Sequence, residues 1–185
     1  MISIHFDWPF RDPKVSGRGL KVLVAEVCRQ RAVSKASVGI AVVGDQQMRG
    51  LNRRFTGRRT ATDCLSFDLS DGQGPGAERV FEIVVNAERA IREASARGHR
   101  PQAELALYIT HGLLHQLGFD DLTPVKARRM HRMEDEILLG LGYGIVYQSE
   151  TGARRQESGV RSQKAEVKNN ELPRGGSLRV PYSGF

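Results

Sequence analysis

Residues 111–121 read HGLLHQLGFDD: two histidines four apart, a glycine three residues beyond the second, and a pair of aspartates. Residues i and i+4 share one face of a helix, so His111 and His115 can aim imidazole nitrogens at one point. An HxxxH pair alone fits two hydrogen-bonded side chains on the polar edge of a packed helix. The glycine and the aspartates change that reading. Gly118 supplies a left-handed C-cap that ends the helix and returns Phe119, Asp120 and Asp121 toward the histidines. Zinc takes imidazole nitrogen and carboxylate oxygen at similar distances, roughly 2.0–2.2 Å, so His111, His115 and one of the two aspartates form a reasonable triad for one zinc ion. Three protein ligands leave a fourth position for water, as in a catalytic site and unlike a closed structural one. The same donors also suit nickel, or iron in facial geometry. The zincin pattern HExxH needs a glutamate directly after the first histidine, and Gly112 stands there, which argues against a protease. His5, His99 and His131 have no comparable neighbours and read as surface or core-edge residues.

Outward from this stretch, Pro101 falls in the first turn of a long apolar helix that runs to Gly118. Thr123-Pro124 opens a last helix with Met130, Met133, Ile137, Leu138 and Leu141 facing inward. Toward the N-terminus, MISIHF alternates with the period of a half-buried strand, and residues 17–32 carry Leu20, Leu23, Val24 and Val27 at helical spacing. SVGIAVVGD is an interior strand by its continuous β-branched run. Asp45 is placed to cap a short helix with Met48 and Leu51. CLSFDL and RVFEIVV are two further strands joined by the turn-rich SDGQGPG, and residues 87–97 form a helix ended by Gly98. The count is four strands and five helices, with no internal repeat.

The chain has 185 residues and 39% hydrophobic content, enough for one compact domain and too little for two. Lys and Arg number 28 against 21 Asp and Glu, a net charge of +7 that favours polyanionic partners, nucleic acid first among them. Cys28 and Cys64 have neither disulfide-framework nor thiolate-metal spacing, which suits a reducing cytoplasm. The N-terminus lacks a basic segment followed by an apolar run, and no stretch is long enough to span a bilayer, so no membrane association is expected. The expected domain covers residues 1–147. Residues 148–185 hold few large apolar residues and seven Lys/Arg against four Asp/Glu, and are expected to form a basic, disordered tail.

Several motifs in order resemble the YbeY family of bacterial endoribonucleases. HGLLHQLGFDD followed by MHRMEDEILLGLGY is similar to that family's HGxLHLxGYDH and downstream Met, Glu and Ile-Leu. LNRRFTGRRTATDCLSF (residues 51–67) resembles LNxxYRGKDxxTDVLSF, and FEIVVNAERA resembles the GDIVIS strand and its helix. The match covers most of residues 36–144.

The resemblance implies a single-domain α+β fold, here a small, mostly four-stranded sheet packed with about five helices. It also implies a metal-dependent endoribonuclease of single-stranded RNA, acting in rRNA maturation and ribosome quality control with rRNA precursors and the ribosome or its proteins as partners. By position the family's three histidine ligands fall on His111, His115 and Asp121, so the third is an aspartate here. Asp120 matches the family's own aspartate, either stabilising the turn or orienting a histidine. The family's active arginine after the aromatic of YRG is replaced by Thr56. Arg53, Arg54, Arg58 and Arg59 are therefore the expected RNA contacts, with Arg58 as the candidate catalytic phosphate contact. The rival expectation is a non-catalytic rRNA- or ribosome-associated factor that keeps the fold without the activity.

Overall fold

Four strands make the body of one mixed sheet: β1 (Ile2–Asp7), β2 (Ala36–Val43), β3 (Cys64–Asp68) and β4 (Arg79–Asn86). The computed structural model describes residues 1–71, 77–146 and a two-residue strand, β5 (Gln163–Lys164). The spatial order is β1-β2-β4-β3-β5. Strands β1, β2 and β4 run parallel, with Ile4 opposite Val38 and Ile40 opposite Ile83. Strand β3 lies antiparallel to β4, Ser66 opposite Ile83. Parallel neighbours require crossovers. Helix α1 (Leu20–Gln30) makes the first, and α2 (Asp45–Thr56) with β3 makes the second. The tail expected over 148–185 and part of the SDGQGPG turn lie outside the described residues, β5 excepted.

The sheet is covered unequally. On one face, Val38, Ile40 and Val42 of β2 and Phe81, Ile83 and Val85 of β4 join the main core. Leu23, Val24 and Val27 of α1 pack there with Leu105, Ile109 and Leu113 of α4 (Pro101–Gln116) and with Met130 and Ile137 of α5 (Pro124–Gly140). The other face holds a smaller cluster of Ala41, Val43, Leu65, Phe67 and Val84 under Met48 of α2. Alternation along each strand divides the two sets.

Boundaries differ from the sequence reading at two places, for local reasons. Helix α1 is shorter than residues 17–32 because Gly19 and Ala32 adopt left-handed backbone, with φ of 78° and 54°. Asp45 does not cap α2. Gly44 is the N-cap residue, and the Asp45 N–H donates to Glu88 Oε2 at 2.6 Å, so α3 (Ala87–Arg97) supplies the capping carboxylate from outside. The Asp45 carboxylate instead accepts from Asn86 Nδ2 at 2.7 Å and pairs with Arg92 at 2.8 Å.

Helix α4 is apolar on nearly every side, as a helix threaded through a core must be. It touches α1, α3, α5, β3 and β4. Its approach to the sheet is closest at Gly112, where a Cβ would sit 3.1 Å from Ile83 Cγ2 and 3.5 Å from the Ser66 Cβ. A glutamate at that position has no room.

Candidate metal centre

Helix α4 carries His111 and His115 one turn apart near its C-terminal end, with ring centroids 4.5 Å apart and planes nearly perpendicular. The helix stops at Gln116, and Gly118, at φ 90°, turns the chain back. The turn is pinned by Phe119, whose ring is flanked by the guanidiniums of Arg31 at 4.8 Å and Arg129 at 5.4 Å. Asp121 lies on the returning segment. Its Oδ1 is 4.0 Å from His115 Nε2, and donor atoms of His111, His115 and Asp121 all fall within 4.8 Å of one another. The three residues expected from the sequence to share one ion are thus brought together.

The second nitrogen of each ring is already committed. His111 Nδ1 lies 2.6 Å from Glu134 Oε1 on α5, and His115 Nδ1 lies 3.1 Å from the Phe119 carbonyl. A carbonyl oxygen only accepts, so His115 Nδ1 carries the proton and its Nε2 presents a lone pair. Glu134 Oε1, accepting from Nδ1, imposes the same on His111. The two Nε2 atoms nonetheless stand 3.0 Å apart. Two lone pairs so placed repel unless a cation or a proton lies between them. Tetrahedral zinc with ligands at roughly 2.0–2.1 Å spaces its donors by about 3.3 Å. The donor set therefore fits a divalent ion, with the Nδ1 partners acting as the outer layer that fixes ring orientation.

The electrostatics agree. Burial disfavours a charged His111, but the Glu134 hydrogen bond and charge outweigh it and hold the ring above the usual histidine range. Burial, and then the neighbouring His111, push His115 below that range. The carboxylates attract one positive charge to this spot, and the two rings cannot both supply it.

A small cavity of about 50 Å³ opens beside His111 and Asp121. Its wall also includes Asp63, Arg89, Arg97 and His131. Of the residues read in the sequence as ordinary, His131 lines this cavity and His99 contacts the fully buried Glu104. Glu134 is absent from the candidates read in the sequence, although a signal for it exists there. It falls four residues after Met130 and three before Ile137, on the buried stripe of α5, where a lone carboxylate demands a partner.

Arg53 and Arg54 end α2 and Arg58 and Arg59 come just after it, all four exposed. None is among the residues lining the cavity. Thr56 is occupied locally, its hydroxyl 2.7 Å from both the carbonyl and the side-chain oxygen of Asn52. Asp120 accepts from the Leu122 N–H and pairs with Lys126 at 2.7 Å, the turn-stabilising alternative of its two expected roles.

A family model described as Endoribonuclease YbeY matches residues 12–142. The chain belongs to the YbeY family. An Endoribonuclease YbeY of Anaeromyxobacter sp. (strain Fw109-5) is 36% identical over 167 residues, covering 90% of this chain and 83% of that protein. Another, of Chelativorans sp. (strain BNC1), is 36% identical over 145 residues, 76% of this chain and 87% of that one. The solution structure of TM1509 from Thermotoga maritima shares the fold, with a TM-score of 0.50 at 23% identity over 83% of this chain and 100% of that one. The α+β sheet and five helices are those expected of the family. No helix among the described residues is long and apolar enough to cross a membrane.

Proposed function

We infer that this chain is a metal-dependent endoribonuclease that cuts single-stranded RNA, with rRNA precursors as substrates and rRNA maturation and ribosome quality control as its role. The reading places it in the cytoplasm, with the ribosome or its proteins as partners. One observation carries it: the His111 and His115 Nε2 atoms converge to 3.0 Å while both Nδ1 atoms are held elsewhere, with a carboxylate from Asp121 closing the set. Nitrogen and oxygen donors in this arrangement suit zinc.

When bound, zinc acts there as a Lewis acid toward water and the phosphodiester. The chain's own residues do the rest. Glu134 and the Phe119 carbonyl keep both rings in the tautomer that points a lone pair inward. Asp121 adds a negative charge where a third imidazole would be neutral, lowering the net charge of the site. The basic segment 49–59 grips the RNA backbone through Arg53, Arg54, Arg58 and Arg59, with Arg58 the one assigned to the phosphate being cut.

Elemental analysis of the purified protein and of Asp121→Ala, paired with cleavage of a labelled single-stranded RNA, tests this. Stoichiometric zinc in the wild type that falls in the variant, with cleavage lost alongside it, is the expected result. Metal without cleavage would turn the reading to a non-catalytic rRNA- or ribosome-binding factor. No metal in the wild type would make HGLLHQLGFDD a remnant.

A further inference from the structure

We propose that Arg89 is an RNA-binding residue that grips a phosphate next to the metal centre. The proposal rests on the reading of the chain as a ribonuclease and adds a contact outside the 49–59 segment. Arg89 lies in the first turn of α3 and lines the same cavity of about 50 Å³ as His111 and Asp121. That volume admits a few oxygen-sized atoms, as a phosphate presents, and is too small for a stacked base.

Several charged groups of the cavity wall already have hydrogen-bond partners. Arg97 donates to Glu104 Oε1 at 2.8 Å and to Glu93 Oε2 at 3.0 Å. Glu104 is fully buried, so Arg97 is occupied as its ion-pair partner. Asp63 accepts from the Thr62 hydroxyl and the Cys64 N–H, both at 2.8 Å. Arg89 is different. Its nearest carboxylate oxygen is Glu93 Oε1 at 3.8 Å, an ion-pair distance beyond hydrogen-bond reach, on a glutamate already shared with Arg97. Its side chain is 20% exposed, so the guanidinium is walled in while its hydrogen-bonding capacity is largely unspent. A planar fork of donors held in that state matches two phosphate oxygens.

The test has one readout that needs no metal. In chelator, binding of a short fluorescein-labelled single-stranded RNA is measured over a range of salt concentrations for wild type, Arg89→Met, Arg89→Lys and the exposed-lysine control Lys21→Met. One lost phosphate contact on a single strand should reduce the slope of log K against log salt by about 0.7 and weaken binding about tenfold in Arg89→Met. Arg89→Lys keeps the point charge and should recover the slope. Thermal melting identifies any variant that fails to fold, and Arg89→Lys then carries the comparison: its metal-loaded cleavage should fall about a hundredfold, because an ammonium cannot form the bidentate contact. Wild-type affinity and slope in a folded Arg89→Met overturn the proposal, as does undiminished cleavage by Arg89→Lys or a wild type that binds no RNA. If the wild type binds RNA and holds metal without cutting, the nuclease reading fails while the salt slope still decides the role of Arg89.

Discussion

Helix α4 with its turn, which carries the proposed metal ligands, and helix α2 with its loop, which carries the proposed RNA contacts, are built in opposite ways. The residues of the candidate metal centre are enclosed: His115 on α4 is 6% exposed, Glu134 on α5 is fully buried, and each ring has a named partner for its second nitrogen. The arginines after Asn52 stand in solvent, while Asn52 itself is anchored, donating from Nδ2 to the Thr60 carbonyl at 2.8 Å. The contrast reflects two tasks. Metal ligands must be held to within a few tenths of an ångström, which requires packing and an outer layer of hydrogen bonds. Attraction of a polyanion falls slowly with distance and tolerates side chains that move. Burial therefore marks the first kind of residue, and exposure with like charge marks the second.

The sharpest way to break this comparison is to remove a ligand. His115→Ala should lose bound metal and reduce RNA cleavage by about a thousandfold or more while the fold survives, as checked by elemental analysis, cleavage kinetics and circular dichroism. Retained metal would mean the convergence of His111 and His115 is incidental.

Next in size is Gly112→Glu, which writes the protease glutamate into the sequence. The new side chain would be driven against Ile83 and Ser66, so a loss of about 3 kcal/mol or more is expected in denaturant unfolding. An unchanged midpoint would show that α4 can lift from the sheet.

Glu134→Ala leaves His111 Nδ1 without its acceptor and should weaken metal binding about 10- to 100-fold by chelator competition, with Glu134→Gln recovering part of the loss. Equal affinities in all three proteins would show that the outer layer adds nothing.

On the exposed side, replacing Arg54, Arg58 and Arg59 together by Gln should leave stability within about 0.5 kcal/mol. RNA affinity should drop, with a salt slope shallower by about two. Unchanged binding would exclude that surface from RNA contact.

The smallest effect concerns Asp45. Burial opposes its charge, yet the hydrogen bonds from Arg92 and Asn86 win and hold the carboxyl below its ordinary range. A depressed folded value contributes stability above the unfolded value, near pH 4, and loses it as pH falls through the folded one. Because Arg92 is more than half exposed, Asp45→Asn should cost under about 1 kcal/mol at neutral pH and less at pH 2, by urea titration at both.

Much of the fold was legible because its signals are local. Strand β1 alternates and β2 is a continuous β-branched run, Gly98 and Gly118 end helices where left-handed backbone is needed, and Thr123 caps α5 with its own hydroxyl. The candidate metal donors were legible in part for the same reason: a helical period plus a glycine stop places two histidines and two aspartates in one short stretch of chain, and the family resemblance singled out Asp121. What escaped reading comes from elsewhere in the chain. Glu134 reaches His111 across 23 residues, Glu88 caps α2 across 43, and Arg89 enters the cavity only because α3 packs on α4. No short-range pattern encodes such meetings. The one clue is a charged residue on an apolar stripe, as at Glu104 and Glu134.

The position of α4 in the chain has a consequence for the order of assembly. All four long strands precede it, and residues 87–100 separate its start from the end of β4. At synthesis rates of roughly 5–20 residues per second, the sheet leaves the ribosome with Phe81 and Ile83 uncovered for a few seconds until α4 arrives. The helix that covers these residues is also the one that carries both histidines, and α5, which brings Glu134, follows it. A nascent chain therefore acquires its histidine pair only as the main core closes, and a product truncated before residue 101 is born unarmed.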